Sequence, residues 1–264
     1  RRPDPRPFCR PCRSACIRTP FSQRSCSCDK HGNKLMRAEP ATQVGGCMNR
    51  LGWECVLLYV GLPLLLAVIR LMIGGFPVLP VLWVAACPAA MYLVKREGWG
   101  RREFFGWRIN RVQALWLGVR LLAAAAVLAG GILLMDPGLF LEMPRRSPRL
   151  WALVMVFYPL LSVFPQGVLY RALFYARYAP LFASERTRHM VGTVAFSLAH
   201  LVFLNPWALL LTLAGGAMFN RTFRTTGCLQ ASNLEHAVCG QLVFTCGWGR
   251  YLYHGITQLV EYAG

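Results

Sequence analysis

Acidic side chains are scarce in this sequence. Over 264 residues, 11 Asp and Glu stand against 29 Lys and Arg, and charged residues together make up only 15% of the chain. A water-soluble domain carries about a quarter charged residues, so the shortage excludes an ordinary soluble domain. Between Cys55 and Val94 the only charge is Arg70; that run is long enough for two bilayer crossings, since one needs about 20 residues. From residue 150 to 260 the only carboxylates are Glu185 and Glu235. An internal repeat, the mark of transporters built from inverted halves, is also missing, which counts against a transporter. A secretory signal peptide is not expected either, because the basic opening stretch is too long and contains no apolar core.

What the sequence has in plenty is apolar length. Hydrophobic residues make up 55% of it, aromatics 12%, and the mean hydropathy is +0.39. Backbone polar groups cannot stay unpaired in lipid, so helices are the spanning form. The expected fold is all-α, a polytopic membrane helix bundle of about 7–8 transmembrane helices. The segments are roughly 54–73, 77–95, 112–135, 150–164, 167–183, 189–204, 207–220 and 228–246. Gly74-Gly75, Asp136-Pro137-Gly138, Pro144 and Asn205-Pro206 punctuate them. The stretches 150–164 and 207–220 are short for full crossings. Small residues in AAAAVLAGG (123–131) and LAGGAMF (213–219) suit close helix packing. Arg70 and Arg120 are expected to snorkel to the interface.

The net charge of +18 suggests nucleic acid at first, but its distribution does not. Residues 95–111, KREGWGRREFFGWRINR, hold six basic and two acidic side chains between apolar runs. This reads as a short cytoplasmic loop under the positive-inside rule, so the expected partner is the lipid bilayer and not nucleic acid. The location is a cell (plasma) membrane, multi-pass, with a cytoplasmic N-terminus. Residues 1–47 hold ten Lys/Arg, three acids and six cysteines, in a CRPC…SCSC pattern followed by His31 that mimics zinc spacing. Rich in Arg, Pro and Ser and lacking an apolar core, this segment is expected to be disordered or not native, with Met48 opening a membrane domain over 48–264. Cys55, Cys87, Cys228, Cys239 and Cys246 are expected to pack as small hydrophobes.

Ionisable side chains at membrane depth are costly and mark function. His200 and His236 lie 36 positions apart on separate apolar segments, and Gln166 and Arg171 interrupt a third, YPLLSVFPQGVLYRALFYARY. Phe196 and His200 share a helix face at four-residue spacing, as do His236 and Gly240. Gly240 would let a neighbouring helix or a substrate backbone come close. Arg171 needs an anion, a carbonyl or a ring face inside the bundle.

The order of these motifs resembles the CAAX-processing and bacteriocin-processing membrane endopeptidases (CPBP family) over about residues 150–256. In that family EExxxR falls where this chain has Gln166, Gly167 and Arg171; FxxxH falls on Phe196 and His200; HxxxN or HxxxD falls on His236 and Gly240. The surroundings PQGVLYRALFYARY and LEHAVCGQLVFTCGWGRYLYHG are similar to a bacterial subgroup with PQE and HxxxG variants. The resemblance implies an intramembrane hydrolase, a protease of CAAX-box protein processing type, cutting a membrane-associated peptide or protein substrate. It implies His200 for water activation, His236 for oxyanion stabilisation, Gln166 for positioning of water or carbonyl, and Arg171 for organising the site. No cofactor is fixed by it: two histidines and a glutamate suit Zn²⁺, and the same residues suit a metal-free mechanism. The departure is the acidic pair, replaced here by Gln166 and Gly167. Glu235, beside His236, is the candidate stand-in as base or orienting group, although helix neighbours point about 100° apart. A second expectation follows from that loss, a catalytically inactive membrane binding or immunity-type protein on the same fold.

Overall fold

A computed structural model of the chain describes residues 44–74 and 77–252. The expectations for the Cys-rich segment up to residue 43, zinc-like spacing included, lie outside the described residues. Every regular element among the described residues is helical. In chain order these are α1 (residues 44–73), α2 (Val78–Glu97), α3 (Arg101–Phe105), α4 (Arg111–Met135), α5 (Glu142–Arg146), α6 (Pro148–Arg177), α7 (Glu185–Leu198), α8 (Pro206–Thr226), α9 (Leu229–Cys246) and α10 (Gly249–Leu252). A 3₁₀ turn at Ala199–Phe203 extends α7. Asn205 caps α8 by accepting from the Trp207 amide at 2.8 Å, with Pro206 in the first turn, where its missing N–H costs nothing.

Four helices are long and apolar enough to cross a membrane: Arg50–Ile73, α2, α4 and α6. Their outward faces present Leu57, Leu65, Leu71, Val84, Leu122, Val127 and Leu134, an exposed apolar surface of a kind soluble monomers avoid. Of the 7–8 spans expected, four helices among the described residues meet the length and composition of a crossing, and α7, α8 and α9 are more polar.

One boundary differs from expectation. Residues 150–164 and 167–183 were expected as two helices, yet α6 runs unbroken for 30 residues through Pro159 and Pro165. An interior proline removes a hydrogen bond to the carbonyl four residues back. Here a π turn at Pro159–Val163 widens the helix just before Pro165, and the Leu161 carbonyl, four back, accepts instead from the Trp83 indole of α2 at 3.0 Å. Likewise 207–220 is not short, because α8 extends to Thr226. Gly216 on α8 packs against Phe196, where a Cβ would meet Cδ1 at 2.9 Å, so that small-residue segment does serve close packing.

The central helix is α9. Its buried residues include Leu229, Ser232, Asn233, Glu235, His236, Cys239, Val243 and Cys246, which cover all its faces, and it packs against α4, α6 and α8. Cys55, Cys228, Cys239 and Cys246 are buried free thiols, while Cys87 is exposed. At one end of the bundle Arg177 donates twice to Glu54 at 2.6 Å, and Tyr178 donates to it at 2.8 Å. Arg177 also lies over the Tyr92 ring at 4.6 Å. These contacts gather the start of α1 and the ends of α2 and α6. Gln230 donates to the Phe104 carbonyl at 2.5 Å and Gln113 to that of Thr225 at 3.4 Å, so α3 and the start of α4 meet the end of α8 and the start of α9.

Candidate functional site

The site is built on α6, α7, α8 and α9. Arg171 sits in a π turn of α6, Val168–Leu173, and is fully buried. Its Nη2 donates to His236 Nδ1 at 3.0 Å and approaches Asn233 Oδ1 at 3.5 Å. Its guanidinium lies 5.5 Å from the centre of the Phe196 ring and 5.7 Å from that of Phe219. A guanidinium cannot lose its proton in a protein, so a full positive charge is held against ring faces and neutral acceptors. Its Nε and Nη1 have no hydrogen-bond partner among the described residues.

The two expected histidines converge on one aromatic ring. Phe196 is 4.8 Å from His200 and 5.3 Å from His236, centre to centre, and His236 stacks on Phe219 at 4.7 Å. Their tautomers follow from their partners. A backbone carbonyl only accepts, so His200 Nδ1 carries the proton it shares with the Phe196 carbonyl at 2.8 Å, and Nε2 keeps a free lone pair. Arg171 only donates, so His236 Nδ1 is the acceptor and Nε2–H donates to Tyr158 Oη at 3.2 Å. Gln166 donates through Nε2 to Ser162 at 2.8 Å, while its Oε1 is buried without a partner.

Glu235 is placed elsewhere. It is fully buried, and both carboxylate oxygens are taken: Arg120 Nε donates at 2.7 Å and Thr222 Oγ1 at 2.6 Å. Arg120 also donates to Thr222 at 2.6 Å. Arg120 therefore turns inward to α8 and α9, where snorkelling to the interface was expected. The pair outranks that option because a buried carboxylate needs a charge and hydrogen bonds together. Glu185, the other carboxylate of this half, pairs with Arg188 at the start of α7.

This donor set does not fit zinc. Among the described residues no three His, Cys, Asp or Glu side chains gather as a metal site. Both nitrogens of His236 are engaged, and Glu235 is bound to Arg120.

Two glycines of the resembling motifs prove to be close approaches. A Cβ on Gly167 would lie 2.1 Å from Asn233 Oδ1, and one on Gly240 would lie 2.3 Å from Tyr158 Oη. The polar groups near these positions thus come from opposing helices, Asn233 on α9 and Tyr158 on α6. Neither was singled out beforehand, although both leave a signal: Tyr158, Ser162 and Gln166 recur every four residues along an apolar helix, and Asn233 precedes His236 by three. Compared with known proteins, the chain matches no family model, no curated protein and no solved structure.

Proposed function

We propose that this protein is an intramembrane endopeptidase of the CAAX/bacteriocin-processing type that crosses the plasma membrane seven times, with the start of α1 on the cytoplasmic side. It hydrolyses a peptide bond of a membrane-associated polypeptide. The observation that carries this reading is the convergence of His200, His236 and Arg171 around Phe196 from three different helices. In the reaction, His200 Nε2 takes a proton from water as the oxygen adds to the carbonyl carbon. The proton then passes to the leaving nitrogen as the C–N bond breaks, giving a carboxylic acid and an amine, which ionise on release. The Phe196 carbonyl holds the Nδ1 proton, so the neutral imidazole presents Nε2 as the base. Gln166 Oε1, free of other bonds, accepts from the same water. The charge of Arg171 lies behind His236 and favours negative charge developing on the carbonyl oxygen.

A second reading, a peptide-binding protein that does not hydrolyse, is favoured by one observation: Asn233 occupies the space that any side chain at position 167 would need. The test uses the full chain in lipid vesicles against a peptide library. We expect wild type to cleave and His200→Ala to lose cleavage. Retained cleavage in His200→Ala overturns the site. If wild type is silent and Gly167→Glu combined with Asn233→Gly cleaves, the second reading holds. Gly167→Glu alone is a poor test, because its Cβ collides with Asn233.

A further inference from the structure

We infer that Tyr158 is the group that donates a hydrogen bond to the substrate's carbonyl oxygen, and that His236 and Arg171 form a relay behind it. This rests on the peptide-site reading above and changes which atom faces the substrate. His236 has no proton left to offer: Nδ1 accepts from Arg171, and Nε2–H is spent on Tyr158 Oη, 3.2 Å away. Tyr158 accepts that bond and so keeps its own O–H hydrogen for another acceptor. The chain of donors runs in one direction, Arg171 to His236 to Tyr158, and each bond polarises the next. At its back is a charge that has no ion-pair partner among the described residues, so the free end of the chain is electron-poor. An O–H in that position prefers a strong acceptor, above all an oxygen that gains negative charge.

Two further observations place Tyr158 for that task. Its ring is fixed edge-on against His236 at 6.1 Å and against Phe244 at 5.6 Å. Position 240 is a glycine, and a Cβ there would meet Oη at 2.3 Å, Cε1 at 2.4 Å and Cζ at 2.5 Å. The hydroxyl therefore occupies a place that exists only because that residue has no side chain. Tyr158, Gln166 and His200 are also half-buried, whereas Arg171 and His236 are buried. A substrate approaching the cluster meets Tyr158, Gln166 and His200 before the buried pair behind them.

The test compares two probes on the full chain in lipid nanodiscs: N-acyl tetrapeptide phosphonates, which carry tetrahedral anionic oxygens, and the matching tetrapeptide amides, which carry planar carbonyls. We expect wild type to bind the phosphonates more tightly. Tyr158→Phe should weaken phosphonate binding at least tenfold and amide binding less than threefold. Tyr158→3-fluorotyrosine keeps the ring in place and makes the hydroxyl a better donor, so phosphonate binding should tighten; a purely structural tyrosine would give no such gain. An unchanged phosphonate preference in Tyr158→Phe, with wild type binding both probes, overturns the role of Tyr158 and leaves the peptide site standing. If wild type binds neither probe and cleaves no peptide, the peptide-site reading fails and the role of Tyr158 falls with it.

Discussion

At the scale of single residues, the site depends on two missing side chains as much as on those present. Gly240 tests this directly. Its Cβ position lies 2.3 Å from Tyr158 Oη, 2.4 Å from Cε1 and 2.5 Å from Cζ, and all three belong to a side chain, so Gly240→Ala pushes the whole tyrosine ring off His236 and Phe244. The expected stability loss is about 1–3 kcal/mol, the usual cost of overpacking. Phosphonate affinity should nevertheless fall by about tenfold, or about 1.4 kcal/mol, to the level of Tyr158→Phe. Isothermal titration and a thermal unfolding curve on the same samples separate the two effects. Wild-type affinity in Gly240→Ala would show that the hydroxyl does no work there. The sequence made part of this legible. His200, His236 and Arg171 were visible because charge and imidazole are conspicuous in apolar helices. Gly240 was legible as a point of close approach. Tyr158 and Asn233 were not, because a tyrosine and an amide look ordinary until it is known which helix lies opposite.

At the scale of elements, polar side chains hold the bundle together at points the sequence alone could not pair. Glu235 was a candidate for the site because it adjoins His236, yet one step along α9 turns it toward α4 and α8, where Arg120 and Thr222 bind it. Adjacency in sequence misled because side chains on a helix turn about 100° per residue. Arg120 misled for a related reason, since it looked near enough to a helix end to reach the interface. The ion pair predicts a characteristic pattern. Arg120→Leu strands the fully buried Glu235 carboxylate and should destabilise the protein by about 3–5 kcal/mol, whereas Glu235→Leu leaves the half-buried Arg120 unpaired and should cost less. The double replacement should cost less than Arg120→Leu alone, because no carboxylate is then left stranded. Unfolding titrations in mixed detergent micelles measure the cycle, and additive losses would mean that the two charges are not coupled. The merging of two expected helices into α6 has its own cause, also invisible in one segment: the Trp83 indole from α2 takes the carbonyl that Pro165 leaves open.

At the scale of the whole molecule, the question is how many of the long helices cross the bilayer. Among the described residues four qualify on length and hydropathy; α7 has 14 residues before its 3₁₀ turn, and α8 and α9 carry buried polar side chains. Those residues, however, are turned inward: Ser232, Asn233, Glu235 and His236 are buried on α9, as are Thr212, Asn220 and Thr222 on α8. A helix whose polar groups face the interior of a bundle can cross at low average hydropathy, while Met190, Val194, Leu210, Leu213 and Leu234 remain exposed on the outside of the same three helices. The seven crossings proposed above can be distinguished from four. With seven, the loop after α6 and the turn before α8 lie on opposite sides of the membrane; with four, they lie on the same side. Single cysteines at Ala183 and Leu204, introduced with the native cysteines replaced, should react with a membrane-impermeant maleimide from opposite faces. Ala183→Cys should label from the face that labels Arg108→Cys, in the basic loop expected to be cytoplasmic. Leu204→Cys should label from the face that labels Arg146→Cys. If Ala183→Cys and Leu204→Cys label from the same face, α7 does not cross, and the histidine site lies at the membrane edge instead of within it.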